Sequence, residues 1–241
     1  MKWDRSKGRP EPITALNRIV EIDNREPLVA LELAAPKVVI LRDSVIPFLR
    51  ETVAAKLAAA ADSLGSSYQI GVVDAWRPFQ RQVRIYEWMW ANLMAAHPDK
   101  PYRTARRMIC RFVAPIDQKA PPGHTTGAAV DVNLLDATGK TLDTTSPFKR
   151  LDGAPTFVYG LAPESESNRM RLYEAMMGAG FSNCRDEWWH YSYGDAGWAV
   201  RTQNSACMYG RVEMDESIYA AQMAKWEELM QGRGNPFLRE D

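Results

Sequence analysis

The sequence has few of the features that mark an exported, membrane-bound or nucleic-acid-binding protein. Its 241 residues include 30 basic and 30 acidic side chains, so the net charge is zero and no polyanionic partner is indicated. No stretch approaches the roughly 18 uninterrupted apolar residues of a membrane span. Residues 1–7 are charged but no apolar run follows them, so no secretory signal is predicted. We therefore expect a cytoplasmic protein that binds neither membrane nor nucleic acid.

Cysteine and histidine are also scarce. Cys110, Cys184 and Cys207 are odd in number and irregularly spaced, which indicates reduced thiols rather than a disulfide framework. The chain has only three histidines, and two of them, His124 and His190, each have a carboxylate at short spacing. This pattern is typical of histidine used for metal binding rather than scattered over a surface.

These two segments together predict a metal site. His124, Asp131 and His190 supply the three nitrogen and oxygen ligands of a catalytic zinc site, which leaves a fourth position open for water. Glu187 is then a spare carboxylate, three residues before His190, that can act as a general acid or base. The two tryptophans between Glu187 and His190 would surround the site with apolar surface and strengthen its charge interactions.

Three motifs resemble those of a known family. The segment from His124 to Asp131 fits His-x-x-Gly-x-Ala-x-Asp, and the segment from Glu187 to His190 fits Glu-x-Trp-His. Both are similar to motifs of the zinc D-Ala-D-Ala dipeptidases of the VanX type, within the D,D-peptidases of family M15. A third segment, residues 74–78, resembles the family's Asp-x-Tyr/Trp-Arg-Pro motif. The resemblance extends from about residue 72 to about residue 193.

The resemblance implies a role for each matched residue. His124, Asp131 and His190 would bind one Zn²⁺ ion. Glu187 would be the catalytic base and acid, and Arg77 would stabilise the oxyanion of the tetrahedral intermediate. The implied reaction is the hydrolysis of a D-amino-acid dipeptide such as D-Ala-D-Ala by metal-activated water, so the implied partner is a small peptide.

Two positions depart from the family pattern. Pro122 replaces a serine that helps to hold the substrate, and Lys149 replaces an aspartate that receives the substrate's amino group. A lysine cannot accept a cationic amine, so we expect another acid, such as Asp143 or Asp152, to take this role. The predicted substrate contacts are Asp74, Trp76, Asp143, Lys149, Asp152 and Trp189.

Three other functions are compatible with these residues. A D,D-carboxypeptidase or another peptidase of peptidoglycan fragments would use the same machinery on a longer substrate. A non-catalytic zinc-fold binding protein would keep the metal without turnover. A non-haem iron oxygenase also uses two histidines and one carboxylate, but its histidine and acid lie two residues apart, whereas His124 and Asp131 lie seven apart.

For the fold we expect one α+β domain over residues 1–241, with a small antiparallel sheet that carries the zinc site and helices packed on one face. Residues 1–27, broken by glycine and proline, predict an extended arm. Apolar periodicity predicts helices over 44–63, 79–96, 103–113, 166–177 and 212–231, and strands over 68–75, 128–134 and from 181 onwards. We interpret the basic cluster at 103–111 as a solvated helix face. The oligomeric state does not follow from the sequence.

Overall fold

A mixed sheet lies at the centre of the part of the chain that the computed structural model describes, which is residues 3–238 without the side chains of residues 150 and 151. The strands are β1 (Val20–Glu21), β2 (Leu28–Ala30), β3 (Val39–Ile40), β4 (Phe48–Arg50), β5 (Tyr68–Asp74), β6 (Ala129–Asp136), β7 (Ser182–Asn183), β8 (His190–Ser192) and β9 (Ala206–Cys207). The helices are α1 (Ile13–Leu16), α2 (Leu31–Ala34), α3 (Glu51–Ser63), α4 (Phe79–Ala96), α5 (Tyr102–Ile109), α6 (Pro163–Gly178), α7 (Ala196–Thr202) and α8 (Ala220–Gln231).

The central sheet has five strands in the order β3-β5-β6-β8-β7. β3 pairs parallel with β5, and the other neighbours pair antiparallel. Two small ribbons complete the strands: β2 pairs antiparallel with β4, and β1 pairs parallel with β9. The expected α+β domain with an antiparallel sheet is therefore confirmed, with the parallel edge strand β3 as an addition.

One face of the central sheet packs against helices α3 and α6. Successive side chains of a strand point to opposite faces, so Val130, Val132 and Leu134 of β6 enter the core while Asp131 and Asn133 face the other way. The helices contribute Leu57 and Leu172, among others, to this core. Alternation along β6 thus leaves a polar face free to carry a site.

Helices α4 and α5 form a second core. Leu93 of α4 and Ile109 of α5 are fully buried in it. Residues from both helices and from the polar face of the sheet line one large cavity. The catalytic candidates therefore lie between the sheet on one side and the α4–α5 pair on the other.

Several element boundaries differ from the predicted ones for identifiable reasons. The helix predicted over 44–63 begins only at Glu51, because Phe48–Arg50 pairs with β2 instead. The strand predicted from residue 181 is divided by a turn into β7 and β8. The predicted C-terminal helix over 212–231 begins at Ala220, after a 3₁₀ turn at Glu216–Ile218. The helix predicted over 79–96 has those bounds.

The N-terminal arm is more structured than a purely extended segment. It contains the helical turn α1 and the strand β1, and residues 10–13 reach the rim of the cavity. Its first two residues lie outside the described part of the chain, as do residues 239–241. None of the helices between residues 3 and 238 has the length and apolar content needed to cross a bilayer.

Candidate active site

Three side chains from two distant segments converge at one end of β6. Asp131 and His190 are directly opposite each other in the antiparallel pairing of β6 with β8, and His190 Nδ1 lies 2.9 Å from Asp131 Oδ1. His124, in the 3₁₀ turn Gly123–Thr126 before β6, places its Nε2 atom 3.3 Å from the same oxygen and 3.2 Å from His190 Nδ1. One ligand atom from each residue thus lies within 4.8 Å of the other two. This triad can hold a single metal ion.

The orientation of His124 is fixed by its surroundings. Its Nδ1 atom donates a hydrogen bond to the carbonyl oxygen of Ala75, at 2.8 Å, which leaves Nε2 unprotonated and free to bind a metal. The backbone N–H of Arg77 donates to the carbonyl oxygen of His124, at 3.1 Å. Gly127 then ends the turn with a φ of 71°, a conformation that glycine adopts without strain. These contacts tie the first ligand to the segment that carries Arg77.

The charges of the triad suit a divalent cation. Burial raises the pKa of Asp131, but the two imidazoles outweigh it and hold that pKa well below its usual range. Burial lowers the pKa of His124, but the Asp131 carboxylate more than offsets this, so the net shift is upward. The triad therefore offers two imidazole nitrogens and one ionised carboxylate, a ligand set that fits zinc.

Glu187 lies in the turn between β7 and β8 and lines the same cavity. The turn is fixed by two backbone hydrogen bonds, from Glu187 N–H to Cys184 O at 3.1 Å and from His190 N–H to Glu187 O at 3.2 Å. Burial raises the pKa of the Glu187 carboxyl well above its usual value, and the negative charges of Asp131 and Glu11 add to the effect. A carboxyl tuned in this direction is suited to accepting and returning a proton near neutral pH.

Arg77 is held rigidly at the end of β5. Its Nη2 and Nε atoms donate to Asp74 Oδ2, at 2.6 and 3.1 Å, and Nη1 donates to Gln82 Oε1. Gln82 is fully buried and donates in turn to the carbonyl oxygen of Ala114, at 3.0 Å. Three of the five guanidinium N–H groups are occupied in this way, so two remain for a ligand in the cavity.

The cavity has a volume of about 1240 Å³ and brings together most of the residues expected from the sequence. Trp188 and Trp189 contribute apolar wall, and their rings meet edge to face with centroids 5.5 Å apart. Trp188 is buried, whereas Trp189 is partly exposed. The sequence-predicted residues that line the cavity are Asp74, Arg77, His124, Asp131, Glu187, Trp189 and His190.

Trp76 lies elsewhere. Its side chain is fully buried, its indole N–H donates to the carbonyl oxygen of Val212 at 3.2 Å, and its ring meets Tyr219 edge to face at 5.2 Å. Through these contacts Trp76 anchors the segment before α8, and α8 folds back on the domain. Its place in the structure is therefore in a small core rather than on the cavity wall.

The three loop residues predicted to contact substrate are also outside the cavity. Asp143, Lys149 and Asp152 are all exposed. The Asp143 carboxylate accepts hydrogen bonds from the backbone N–H groups of Thr145, at 2.8 Å, and Ser146, at 3.0 Å. Asp143 therefore shapes its own loop in this structure, and none of the three lines the described cavity.

Sequence reasoning missed three acidic residues of the cavity wall, namely Glu11, Asp186 and Asp195. Glu11 reaches the cavity from the N-terminal arm and is ion-paired with Arg201 of α7. Asp186 precedes Glu187 in the turn, and its carboxylate lies 3.7 Å from Arg185 Nε. Glu11 is far along the chain from every motif, so nothing in the sequence indicates that it reaches the site. Asp186 directly precedes Glu187, and that position could have indicated its place in the cavity wall.

The basic cluster was interpreted too simply. Arg103, Arg107 and Arg111 are exposed, as expected for a solvated helix face, but they also line the cavity. Arg106 lines it as well and forms a two-pronged ion pair with Asp117, at 2.7 and 2.8 Å. The wall formed by α5 and the following turn is therefore strongly cationic.

Comparison with known proteins agrees with this site. The model of peptidase family M15, described as D-Ala-D-Ala dipeptidase, matches residues 39–208, a range that includes the triad, Glu187 and Arg77. A D-alanyl-D-alanine dipeptidase from Synechocystis sp. is 28% identical over 174 residues, which cover 61% of this chain and 70% of that protein. A protein of the same name from Escherichia coli is 28% identical over 127 residues, covering 52% and 55%.

Among solved structures, the chain matches VanYB in complex with D-alanine-D-alanine. The TM-score is 0.47 and the sequence identity 16%, and the match covers 84% of this chain and 91% of that one.

Proposed function

The chain belongs to the D-Ala-D-Ala dipeptidase family of M15 peptidases, and we propose that it hydrolyses D-Ala-D-Ala or a closely related D-amino-acid dipeptide with one zinc ion. The observation that carries this proposal is the convergence of His124, Asp131 and His190 in the cavity that Glu187 and Arg77 also line. A zinc ion held by the three ligands would supply Lewis-acid polarisation of the scissile carbonyl and a lowered pKa for the attacking water.

Glu187 moves the protons. In its ionised form the carboxylate takes a proton from the attacking water, and it then gives that proton to the nitrogen of the leaving amino acid. The raised pKa of Glu187 favours the second transfer, since a weakly acidic carboxyl is easily protonated. Backbone hydrogen bonds to Cys184 and His190 fix the turn that carries Glu187, and the charge of Asp131 acts on its carboxyl.

Arg77 stabilises the negative charge that develops on the carbonyl oxygen. Its guanidinium is always ionised, and Asp74 and Gln82 fix its plane before the substrate arrives. Because two N–H groups remain free, Arg77 can donate to the oxyanion without losing either partner. Asp74 thus acts in positioning Arg77.

The substrate's amino group needs an acidic partner in place of the one lost at Lys149. Apart from Asp131 and Glu187, the acids on the described cavity wall are Glu11, Asp74, Asp186 and Asp195. Glu11 is paired with Arg201, Asp74 with Arg77, and Asp195 accepts hydrogen bonds from Ser192 and from the first turn of α7. Among the described residues, the Asp186 carboxylate has only a distant contact, to Arg185, and it lies close enough for its charge to raise the pKa of Glu187. We assign the amine to Asp186.

The cavity also favours a second candidate function, D,D-carboxypeptidase activity on longer peptides. Its volume of about 1240 Å³ exceeds the roughly 300–1000 Å³ typical of pockets for drug-sized ligands, and a dipeptide would fill little of it. The oxygenase alternative has no support in a peptidase family. The placement of Glu187 and Arg77 beside the triad argues against a non-catalytic binding protein.

A panel of peptides tests the proposal. The protein is stripped of metal, reloaded with zinc and incubated with D,D-, L,D- and L,L-dialanine and with tri- and pentapeptides that end in D-Ala-D-Ala. Free alanine is measured by chromatography. We expect zinc-dependent release from D-Ala-D-Ala above all other dipeptides. Release only from the longer peptides would assign the carboxypeptidase function, and no release from any D,D-peptide would refute both.

A further inference from the structure

Six arginines of the described cavity wall have no ionic partner among the described residues: Arg103, Arg107 and Arg111 belong to α5 and the following turn, and the other three come from separate segments. Arg42 follows β3, Arg81 belongs to the first turn of α4, and Arg233 follows α8. None of the three has a carboxylate within ion-pair distance in the described part of the chain. They differ in this from Arg77 and Arg106, whose charges are matched by Asp74 and Asp117.

Arg81 is the most constrained of the three. Its side chain is only 4% exposed, its Nη1 atom donates to the carbonyl oxygen of Ser44 at 2.7 Å, and its guanidinium lies 5.2 Å from the ring centroid of Trp226. Its Nε–H has no hydrogen-bond partner among the described residues. Leaving a buried donor unpaired costs free energy. The unpaired N–H therefore indicates that a ligand atom accepts a hydrogen bond from it.

The three charges also act on one another. Burial lowers the pKa of Arg81 to about 10, Asp74 opposes this, and the positive charges of Arg77 and Arg42 add to the lowering. Burial and then Arg42 lower the pKa of Arg233 as well, and the guanidinium of Arg233 lies over the ring of Trp88 at 5.3 Å. Three like charges held together without a counter-ion create a positive potential on this side of the cavity.

We propose that Arg42, Arg81 and Arg233 form an anion-binding subsite for a carboxylate or phosphate group on a ligand larger than D-Ala-D-Ala. This inference rests on the proposed function, because it assumes that substrates occupy the cavity of the triad. A dipeptide has a single carboxylate next to the hydrolysed bond, whereas the cavity offers Arg42, Arg81 and Arg233 in addition to Arg77, the arginines of the α5 wall and the metal ligands. The subsite therefore selects extended, acidic peptides or peptide fragments.

The test compares acidic ligands with their neutral isosteres. Tri-, tetra- and pentapeptides ending in D-Ala-D-Ala are made in pairs that carry glutamate or glutamine at one position before the dipeptide. Their binding to the zinc-loaded Glu187→Gln protein, which avoids turnover, is measured by calorimetry, and inorganic phosphate is titrated as a second probe. Hydrolysis of D-Ala-D-Ala by the wild-type protein is measured separately.

Two sets of variants share the Glu187→Gln background. The first is Arg42→Gln with Arg233→Gln, both at exposed positions, where substitutions usually have little effect on stability. The matched control, Arg18→Gln with Arg84→Gln, removes the same charge at positions that do not line the cavity. We expect at least one glutamate peptide, or phosphate, to bind the parent protein about tenfold or more tightly than it binds the first double variant. The control pair should keep the parent affinity.

The outcomes separate this inference from the proposed function. Preference for glutamate peptides without phosphate binding assigns a peptide carboxylate, and binding of phosphate alone assigns a phosphate group. A further outcome is that the wild-type protein hydrolyses D-Ala-D-Ala while the first double variant binds glutamate peptides and phosphate as tightly as the parent protein does. That result refutes the subsite and leaves the proposed dipeptidase function intact. Loss of affinity in both double variants also refutes it, because a general charge effect would then suffice. Absence of D,D-peptide hydrolysis refutes the proposed function instead.

Discussion

Asp131 and His190 are 59 positions apart in the chain, yet they face each other across β6 and β8 with 2.9 Å between carboxylate oxygen and imidazole nitrogen. Strand register alone brings these two ligands together. A shift of one residue would turn Asp131 toward the core formed by its neighbours Val130 and Val132. The metal site therefore depends on the same hydrophobic alternation that builds the sheet.

The first prediction concerns the metal ligand Asp131. Asp131→Asn keeps the shape of the side chain and removes its charge, so we expect zinc affinity to fall by more than about 100-fold, beyond the loss typical of residues that only support a ligand. Competition with a chromophoric chelator measures this affinity. The matched control is Asp136→Asn, at the far, partly exposed end of the same strand. Equal zinc affinity of Asp131→Asn and the wild-type protein would show that Asp131 does not bind the metal.

The second prediction concerns Arg77. In Arg77→Lys the charge is retained, but the planar contacts to Asp74 and Gln82 are lost. We expect kcat to fall about a hundred- to a thousandfold, equivalent to about 2.7–4 kcal/mol of barrier, with bound zinc unchanged. Steady-state kinetics and metal analysis give the two quantities. Arg84→Lys, on the outer side of α4, should keep full activity, and an equally active Arg77→Lys would contradict the oxyanion role.

The third prediction concerns Glu187 in catalysis. Glu187→Gln leaves His124, Asp131 and His190 intact but cannot accept a proton, so we expect one zinc ion per chain and no measurable turnover of D-Ala-D-Ala. Zinc content by mass spectrometry and alanine release are measured on the same sample. Full activity in this variant would assign the proton transfers to another residue.

The fourth prediction concerns Glu187 and stability. The pKa of its carboxyl is raised in the folded protein, by burial first, so the folded state binds more protons than the unfolded state above the ordinary pKa of glutamate. The stability of the metal-free protein therefore falls as pH rises through the folded pKa. Glu187→Gln removes this penalty, and we expect the metal-free variant to be more stable than wild type at pH 8 by on the order of 1 kcal/mol.

Denaturant unfolding of both metal-free proteins between pH 4.5 and pH 8 checks the sign. The advantage of Glu187→Gln should shrink as the pH falls toward 4.5, because the unfolded state then takes up a growing share of the proton that the folded state already holds. An advantage that is independent of pH would show that the buried charge is not its cause.

The fifth prediction concerns recognition of the amino group. Asp186→Asn removes the carboxylate that we assign to the substrate amine, so we expect KM for D-Ala-D-Ala to rise about tenfold or more, as for loss of a charged hydrogen bond, with a smaller change in kcat. The same assay on Asp143→Asn and Asp152→Asn tests the sequence-based assignment of the 143–152 loop. An increase in KM in only one of the loop variants would show that the loop residue, and not Asp186, binds the substrate's amino group.

The metal ligands were predictable because their chemistry is local and repeated. Two of three histidines lie in short motifs with carboxylates, and the alternation in β6 shows which face Asp131 occupies. The α+β fold followed from apolar periodicity, which is strong in long elements such as α4. Short strands carry a weaker pattern, and Phe48–Arg50 was absorbed into the predicted helix for that reason.

The cavity wall could not be predicted in the same way. Glu11, Arg42 and Arg233 enter the cavity from loops and from the N-terminal arm, where no periodicity indicates which side chain points inward. Trp76 lies within a catalytic motif, but its indole N–H has its partner in Val212, a contact 136 residues away in the chain. Such tertiary contacts leave no trace in local sequence.

The most direct test of the metal site is a crystal structure of the zinc-soaked protein with anomalous diffraction data collected at the zinc edge. We expect one strong peak about 2.0–2.2 Å from His124 Nε2, His190 Nδ1 and an oxygen of Asp131. A peak held by other side chains, or no peak between these three in crystals of a protein that hydrolyses D-Ala-D-Ala, would contradict this expectation.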